Sequence, residues 1–144
     1  MPNIDIRPVR NKKELEEMFY QRWLVLRSPL GMDRGSEKDS HEDNAFHIIA
    51  TCDRTIIASA RLRQLSPELG SISYVAVLPE FQNRGIGTKL IENLIAQAGE
   101  NNLKAVRLMS RINAVKFYQK LGFSEQGNLF DFLGIPHVFM QLEI

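Results

Sequence analysis

Apolar positions along the chain switch between a helical spacing and a strand-like alternation, and each switch marks an element. "NIDIRPV" alternates and predicts a first strand. Across residues 12–26, Leu15, Met18, Phe19, Trp23 and Leu26 fall at helical spacing, which predicts a helix with one apolar face against a sheet. Arg22 shares that face and is expected to snorkel toward water. The stretch "RSPLGMDRGSEKDSHED" then holds no sustained period and reads as a long loop. "AFHIIATC" and "TIIASARLRQL", either side of Asp53-Arg54, predict a hairpin, and "SPELG" breaks the chain before a third strand over 71–78. From Gly85 onward Ile86, Leu90, Leu94 and Ala98, flanked by Ile91 and Ile95, predict a long amphipathic helix that fades near "GENN". "KAVRLMS" predicts a short strand, and residues 112–121 a helix with Ile112, Val115, Tyr118 and Leu121 on one stripe and Gly122 at its C-cap. "FSEQGNLF" and "PHVFMQLEI" are strand-like around a Gly/Pro turn. The order β α loop β β β α β α β β implies an α/β (α+β) fold, a mixed, largely antiparallel central sheet flanked by helices.

Composition narrows the class. At 144 residues, 44% hydrophobic and 24% charged, the chain has the balance of a soluble globular protein, and one domain over 1–144 is expected. Eighteen basic and 17 acidic residues leave a net charge of +1, so no global field draws the protein to nucleic acid or to an anionic membrane. The start "MPNIDIRPVRNKKELEE" lacks the apolar core of a signal peptide, and no apolar run approaches spanning length, so a cytoplasmic protein is expected. Cys52 is the single cysteine, which excludes an internal disulfide and a zinc site of several thiolates. It sits in the alternating "HIIATCD" and reads as a small buried strand residue. His41 and His47 are isolated, and no metal is expected.

The candidate chemistry lies in "QNRGIGT", residues 82–88, where a buried strand gives way to a helix. Bare glycine backbone and the unpaired N–H groups of a helix start make such a turn a seat for an anion. A P-loop would need a glycine that is absent before Lys89, and a dinucleotide-binding turn would need Gly or Ala where Leu90 stands. Gln82, Gly85 and Gly87 instead satisfy the pattern Q/R-x-x-G-x-G/A, preceded by "YVAV" and followed by an amphipathic helix. Further on, "AVKFYQKLGF" carries an Ala, an aromatic-Tyr pair and a terminal Gly-Phe. In both elements, over about 71–123, the chain resembles the Gcn5-related N-acetyltransferases.

That resemblance implies an acyl-CoA-dependent N-acetyltransferase with acetyl-CoA as cosubstrate and the amine of a small molecule or peptide as acceptor, attacked directly in a ternary complex. It places the diphosphate on the backbone of Asn83, Arg84, Gly85, Ile86, Gly87 and Thr88, with a charge from Arg84, and the pantetheine amides along Val75, Ala76 and Val77. Tyr118 becomes the proton donor to the departing thiolate. The family often has Asn where Arg111 stands, and Asn113 is out of register, so Arg111 is expected to use its charge on a phosphate instead. The loop after the first helix is expected near the acceptor, where the acidity of "DRGSEKDSHED", with Glu37 and Asp39, would suit a cationic amine. His137, after Pro136 at the start of the last strand, is a candidate for the wall of the same cleft. The alternative is a noncatalytic acyl-CoA-binding regulatory module; a nucleotide-binding oxidoreductase fits less well. Assembly stays open between monomer and homodimer.

Overall fold

A computed structural model describes residues 3–144. Asn11 opens the first helix by accepting the Glu14 N–H at 2.8 Å, and the Glu14 carboxylate accepts the Arg10 N–H in return, a reciprocal cap. The elements are β1 (Ile4–Pro8), α1 (Lys12–Leu26), β2 (Phe46–Cys52), β3 (Thr55–Gln64), β4 (Leu69–Val77), α2 (Ile86–Glu100), β5 (Ala105–Arg111), α3 (Val115–Lys120), β6 (Ser124–Phe132) and β7 (Ile135–Glu143). They follow the predicted order. Asp53 and Arg54 both take positive φ (50° and 69°), the turn geometry whose twist suits a two-residue hairpin. α3 ends as predicted at Gly122: its N–H reaches Gln119 O, and the Phe123 N–H reaches Tyr118 O.

Seven strands form one sheet in the order β1-β2-β3-β4-β5-β7-β6, antiparallel throughout except for β4 beside β5. Neighbouring residues on a strand face opposite ways, which assigns the helices to sides. Ile49 packs with Met18 and Phe19 of α1, while Ile48 joins Leu90, Ile91 and Leu94 of α2 in the larger core cluster. Leu62, Ile72, Val106, Leu108, Val138 and Met140 belong to that second side. Their strand neighbours Arg61, Arg63, Ser71, Ser73, Arg107, His137 and Phe139 therefore face the side of α1.

Two irregularities shape the middle of the sheet. The β3–β4 register shifts between Ser59 and Arg61, opposite Tyr74, whose φ of +54° is costly for a residue with a Cβ. The buried Gln21 of α1 fills the gap: its amide donates to Ala76 O at 3.1 Å and its carbonyl accepts the Ser59 hydroxyl at 2.6 Å. On the other edge, β4 pairs with β5 only from Leu69–Ala105 to Ser71–Arg107, after which the strands part.

The structure corrects two expectations. Arg22 does not snorkel; it is 0% exposed and bonds Glu42 Oε2 at 2.9 Å and Glu37 O at 3.0 Å, with its guanidinium 4.1 Å from the Tyr74 ring centre. Burial pushes its pKa down and Glu42 opposes that shift. The helix expected over 112–121 starts late: β5 continues to Arg111, a single tight turn spans Ile112–Ala114, and Ile112 is left exposed. The apolar stripe therefore begins at Val115.

Removing Glu42 would strand the Arg22 charge inside the protein. Glu42→Ala is expected to lower unfolding free energy by about 3–5 kcal/mol in urea titrations. A loss below about 1 kcal/mol, the range of exposed pairs, would mean that the loop is held by other contacts.

Candidate active site

Where β4 leaves β5, α1 no longer covers the sheet, and a cavity of about 740 Å³ occupies that space. Its floor is the α1-side face of the sheet, with Arg63, Ser71, Ser73, Arg107, Met109, Arg111, His137 and Phe139. Leu26 and Arg27 at the end of α1, Met32, Ser36 and Asp39 of the following loop, and Phe132, Leu133 and Ile135 of the β6–β7 corner wall it. Leu108 and Tyr118 belong to the core cluster on the α2 side yet also line the cavity, so it extends through the split between the strands.

The turn over 82–88 lies past the C-terminal end of β4. Asn83 (φ 61°) and Gly85 (φ 81°) both take left-handed backbone, and Gly85 caps α2 without any side-chain bond to the helix. Gln82 N bonds Pro79 O and Lys89 N bonds Gly85 O; between them, the N–H groups of Asn83 to Thr88 donate to no protein acceptor among the described residues. A Cβ on Gly85 would meet nothing within 4 Å, whereas one on Gly87 would meet the Phe117 ring at 3.5 Å. The donors and the positive end of α2 are suited to an anion. Arg84 stays near, 5.3 Å from the Phe81 ring centre, while the Ile86 side chain is in the core. Gln82 points back and donates to Val77 O at 3.0 Å, tying the turn to the strand edge.

Along β4, the carbonyl of Ala76 is turned to β3 and held by Gln21. By alternation Val75 and Val77 turn their backbone groups to the split, where no strand pairs with them. Val75 lines the cavity; Val77 O is already engaged by Gln82. Arg111 is on the cavity floor, whereas Asn113 is exposed on the turn after β5 and outside the lining.

Tyr118 is 8% exposed, and burial raises its pKa to about 12. Its ring stacks edge-on against Phe117 and Phe123, and it keeps its proton throughout the physiological range. His137 is 7% exposed, directly across the β5–β7 ladder from Arg111. Its Nδ1 is 2.7 Å from Ile135 O and its ring stacks on Phe130. The carbonyl places the proton of the neutral ring on Nδ1 and leaves Nε2 as an acceptor.

The expectation of an acidic cleft is overturned. Glu37 is 1% exposed and does not reach the cavity; its Oε1 accepts the Gly35 N–H at 2.7 Å and its Oε2 is 3.8 Å from Arg34 Nε. Asp39 does line the cavity but is clasped by Arg61 Nη1 and Nη2 at 2.7 and 2.9 Å. That bidentate hydrogen bond holds its carboxyl well below the usual carboxylate range. The remaining charged lining is cationic: Arg27, Arg63, Arg107 and Arg111. Sequence reasoning missed Gln21, Arg61, Arg63 and Arg107, because their partners are set by strand register and not by spacing.

The family model for the acetyltransferase (GNAT) domain matches residues 32–144. The chain is 28% identical over 133 residues to the uncharacterized N-acetyltransferase YitI of Bacillus subtilis, covering 88% of this chain and 89% of that one. Among solved structures it is similar to an acyl-CoA N-acyltransferase from Pseudomonas aeruginosa, with TM-score 0.84, 20% identity and 99% of each chain covered. It is also similar to a GNAT family acetyltransferase from Elizabethkingia anophelis with acetyl-CoA bound, with TM-score 0.76, 19% identity and 99% of each chain covered.

The Arg61–Asp39 clasp has a pH signature. Because the folded-state pKa of Asp39 is depressed, its stabilisation is complete well above 3.8 and is lost as pH falls toward the lower folded value. The stability difference between the native chain and Asp39→Asn is expected to narrow as urea titrations move from pH 7 to pH 3. A difference independent of pH would rule out the clasp.

Proposed function

Because the chain belongs to the acetyltransferase (GNAT) domain family and is thereby an acyl-CoA-dependent N-acyltransferase, we propose that it moves an acetyl group from acetyl-CoA to the primary amine of an acceptor held in this cavity. Transfer proceeds by direct attack in a ternary complex, with residues 1–144 acting as one domain. One observation carries this reading: the unpaired edge of β4 leads straight into a turn whose N–H groups are free. A diphosphate followed by an arm with two amides needs those two features in that order.

The roles follow from what each group has left to offer. The N–H groups of Asn83 to Thr88 take the diphosphate, helped by the α2 dipole and by Arg84. Val75 and the Val77 N–H pair with the pantetheine amides as an added strand would. Ala76 supports the edge from behind, since its carbonyl is held by Gln21. Arg111, on the α1 side of the split, serves the acceptor half of the site, and exposed Asn113 has no role there.

An alkylammonium must lose a proton first, about three pK units above neutral, or roughly 4 kcal/mol. His137 Nε2 is the acceptor for that proton, because Asp39 is committed to Arg61. Tyr118 stabilises the departing thiolate by donating a hydrogen bond. Full proton transfer from a group near 12 to a thiolate of ordinary basicity, about 8.5, would cost roughly 5 kcal/mol, so the hydrogen bond comes first and transfer follows as the buried thiolate grows more basic.

Tyr118→Phe is expected to lower kcat by about 10–100-fold, the worth of a hydrogen bond to a charged group, with acetyl-CoA affinity unchanged in calorimetric titration. Unchanged turnover would take Tyr118 out of the mechanism. His137→Gln is expected to cost about 10²–10⁴ in kcat/KM at pH 7 and to recover as pH rises and the free amine supplies itself. A deficit constant with pH would leave His137 a wall residue.

A further inference from the structure

The floor of the cavity carries a feature that acetyl transfer alone does not require. Arg63 of β3 is in register with Ser71 of β4, and Ser71 with Arg107 of β5, so two arginines flank one small serine in a row across three strands. All three residues line the cavity. At about 4.8 Å per strand, the two Cα atoms are roughly 10 Å apart, a span that two guanidiniums can close from both sides. Among the described residues no carboxylate lies within ion-pair distance of either arginine. By contrast Arg61, one pair along on β3, has both Asp39 and Glu42. The Nε of Arg63 is buried with no hydrogen-bond partner, and a desolvated charged donor left unmatched is costly. Arg107 is steered by the Phe139 ring, 5.8 Å from its guanidinium. Like charges facing one another over a half-enclosed space, one with an idle buried donor, call for an anion between them.

The donor's own phosphates do not fill this place. Their seat is the turn after Val77, and six residues of strand from Ser71 to Val77 span roughly 20 Å. The row instead marks the closed end of the split, where β4–β5 pairing stops, beyond the point that an arm laid along Val77 and Val75 would bring its thioester. We propose that the acceptor is an amine bearing an anionic group, a carboxylate or a phosphate, clasped by Arg63 and Arg107 over Ser71. This rests on the cavity being the acceptor site. Leu65, Met109, Leu133 and Phe139 in the same lining accommodate an apolar body on that acceptor.

The test measures thiol release from acetyl-CoA with matched acceptors: L-phenylalanine against L-phenylalaninamide for the carboxylate, and O-phosphoethanolamine against ethanolamine for the phosphate. The anionic member of one pair is expected to exceed its neutral partner by about 10–100-fold in kcat/KM, and the arm that responds identifies the anion. Arg63→Gln and Arg107→Gln are each expected to raise KM for the anionic acceptor and to erase that preference, while thermal melting and acetyl-CoA affinity stay as in the native chain. Arg63→Lys is expected to recover part of it. As a readout independent of turnover, N-acetyl-L-phenylalanine and its carboxamide are titrated into the CoA-saturated protein and into the protein alone, with binding expected for the acid and lost in both glutamine variants if the carboxylate is the anion. Turnover or binding that favours neutral or cationic amines overturns the inference, as does a loss of acetyl-CoA affinity in the arginine variants. Failure of acetyl-CoA to bind the native chain would instead overturn the acetyl-transfer reading, and the titrations without CoA would still decide the arginine pair.

Discussion

The parallel ladder between β4 and β5 stops after Ser71 and Arg107, and the site exists because it stops there. A strand edge inside a protein normally finds a partner, since unmatched backbone groups away from water are costly. Here the chain prevents the pairing from within. The β3–β4 shift at Ser59/Arg61 and the left-handed Tyr74 interrupt β4, and the Gln21 amide fixes the residues beyond the interruption by bonding Ala76 O. β4 thus remains attached to β3 while it separates from β5. The groups of Val75 and the Val77 N–H are left without a partner on β5.

Three cationic side chains gather at the Tyr74 ring, beside its left-handed backbone. Arg22, Arg61 and Arg27 lie 4.1, 4.8 and 5.6 Å from its ring centre. Arg22 and Arg61 also share Glu42, whose carboxylate lies 2.9 and 3.2 Å from them, so the loop between α1 and β2 is drawn down over Tyr74. Such a network contributes less to net stability than to a single arrangement, because desolvating the ions offsets much of their attraction. Its value here is positional: it sets the cavity wall at Met32, Ser36 and Asp39. It also sorts the charge. A chain with net charge +1 acquires a cationic cavity because Glu37 and Glu42 of the loop turn inward and Asp39 is clasped by Arg61, while Arg63 and Arg107 remain on the floor.

What could be read from the sequence was whatever a local rule decides. The helical and alternating rhythms depend on which face of an element is buried, and they placed all seven strands and three helices in order. The glycine turn was legible because positive φ and a bare helix start restrict residue type. Legibility failed where a residue's partner is remote in the chain. Arg22 on an apolar face reads as a snorkelling cation unless one knows that Glu42, 20 positions on, folds back over it. Glu37 in an acidic run reads as a partner for a cationic amine, and only the folded loop reveals that its carboxylate is closing on Gly35. Arg63 and Arg107 meet only through a register across β3, β4 and β5 that includes the one parallel pairing. Ile112 was misplaced for a smaller reason: its apolar character fits a helical stripe, but β5 runs on to Arg111 and delays the helix past it.

The same layout favours one chemical route over another. A covalent acyl-enzyme would need a nucleophile within the split, and the single cysteine is not there: Cys52 is buried on β2, paired with Ile4 and Thr55, two strands from the gap. Ser73 does line the cavity, but its hydroxyl accepts the Arg61 Nε–H at 3.0 Å, which lowers its nucleophilicity. Direct attack needs only that the two substrates reach one opening from different sides. Tyr118 and Leu108 reach it from the α2 side, and His137, Arg63 and Arg107 from the α1 side. In the proposed reaction the amine and the thioester meet between the strands, with His137 proposed as proton acceptor on one side of the reacting carbon and Tyr118 as hydrogen-bond donor on the other.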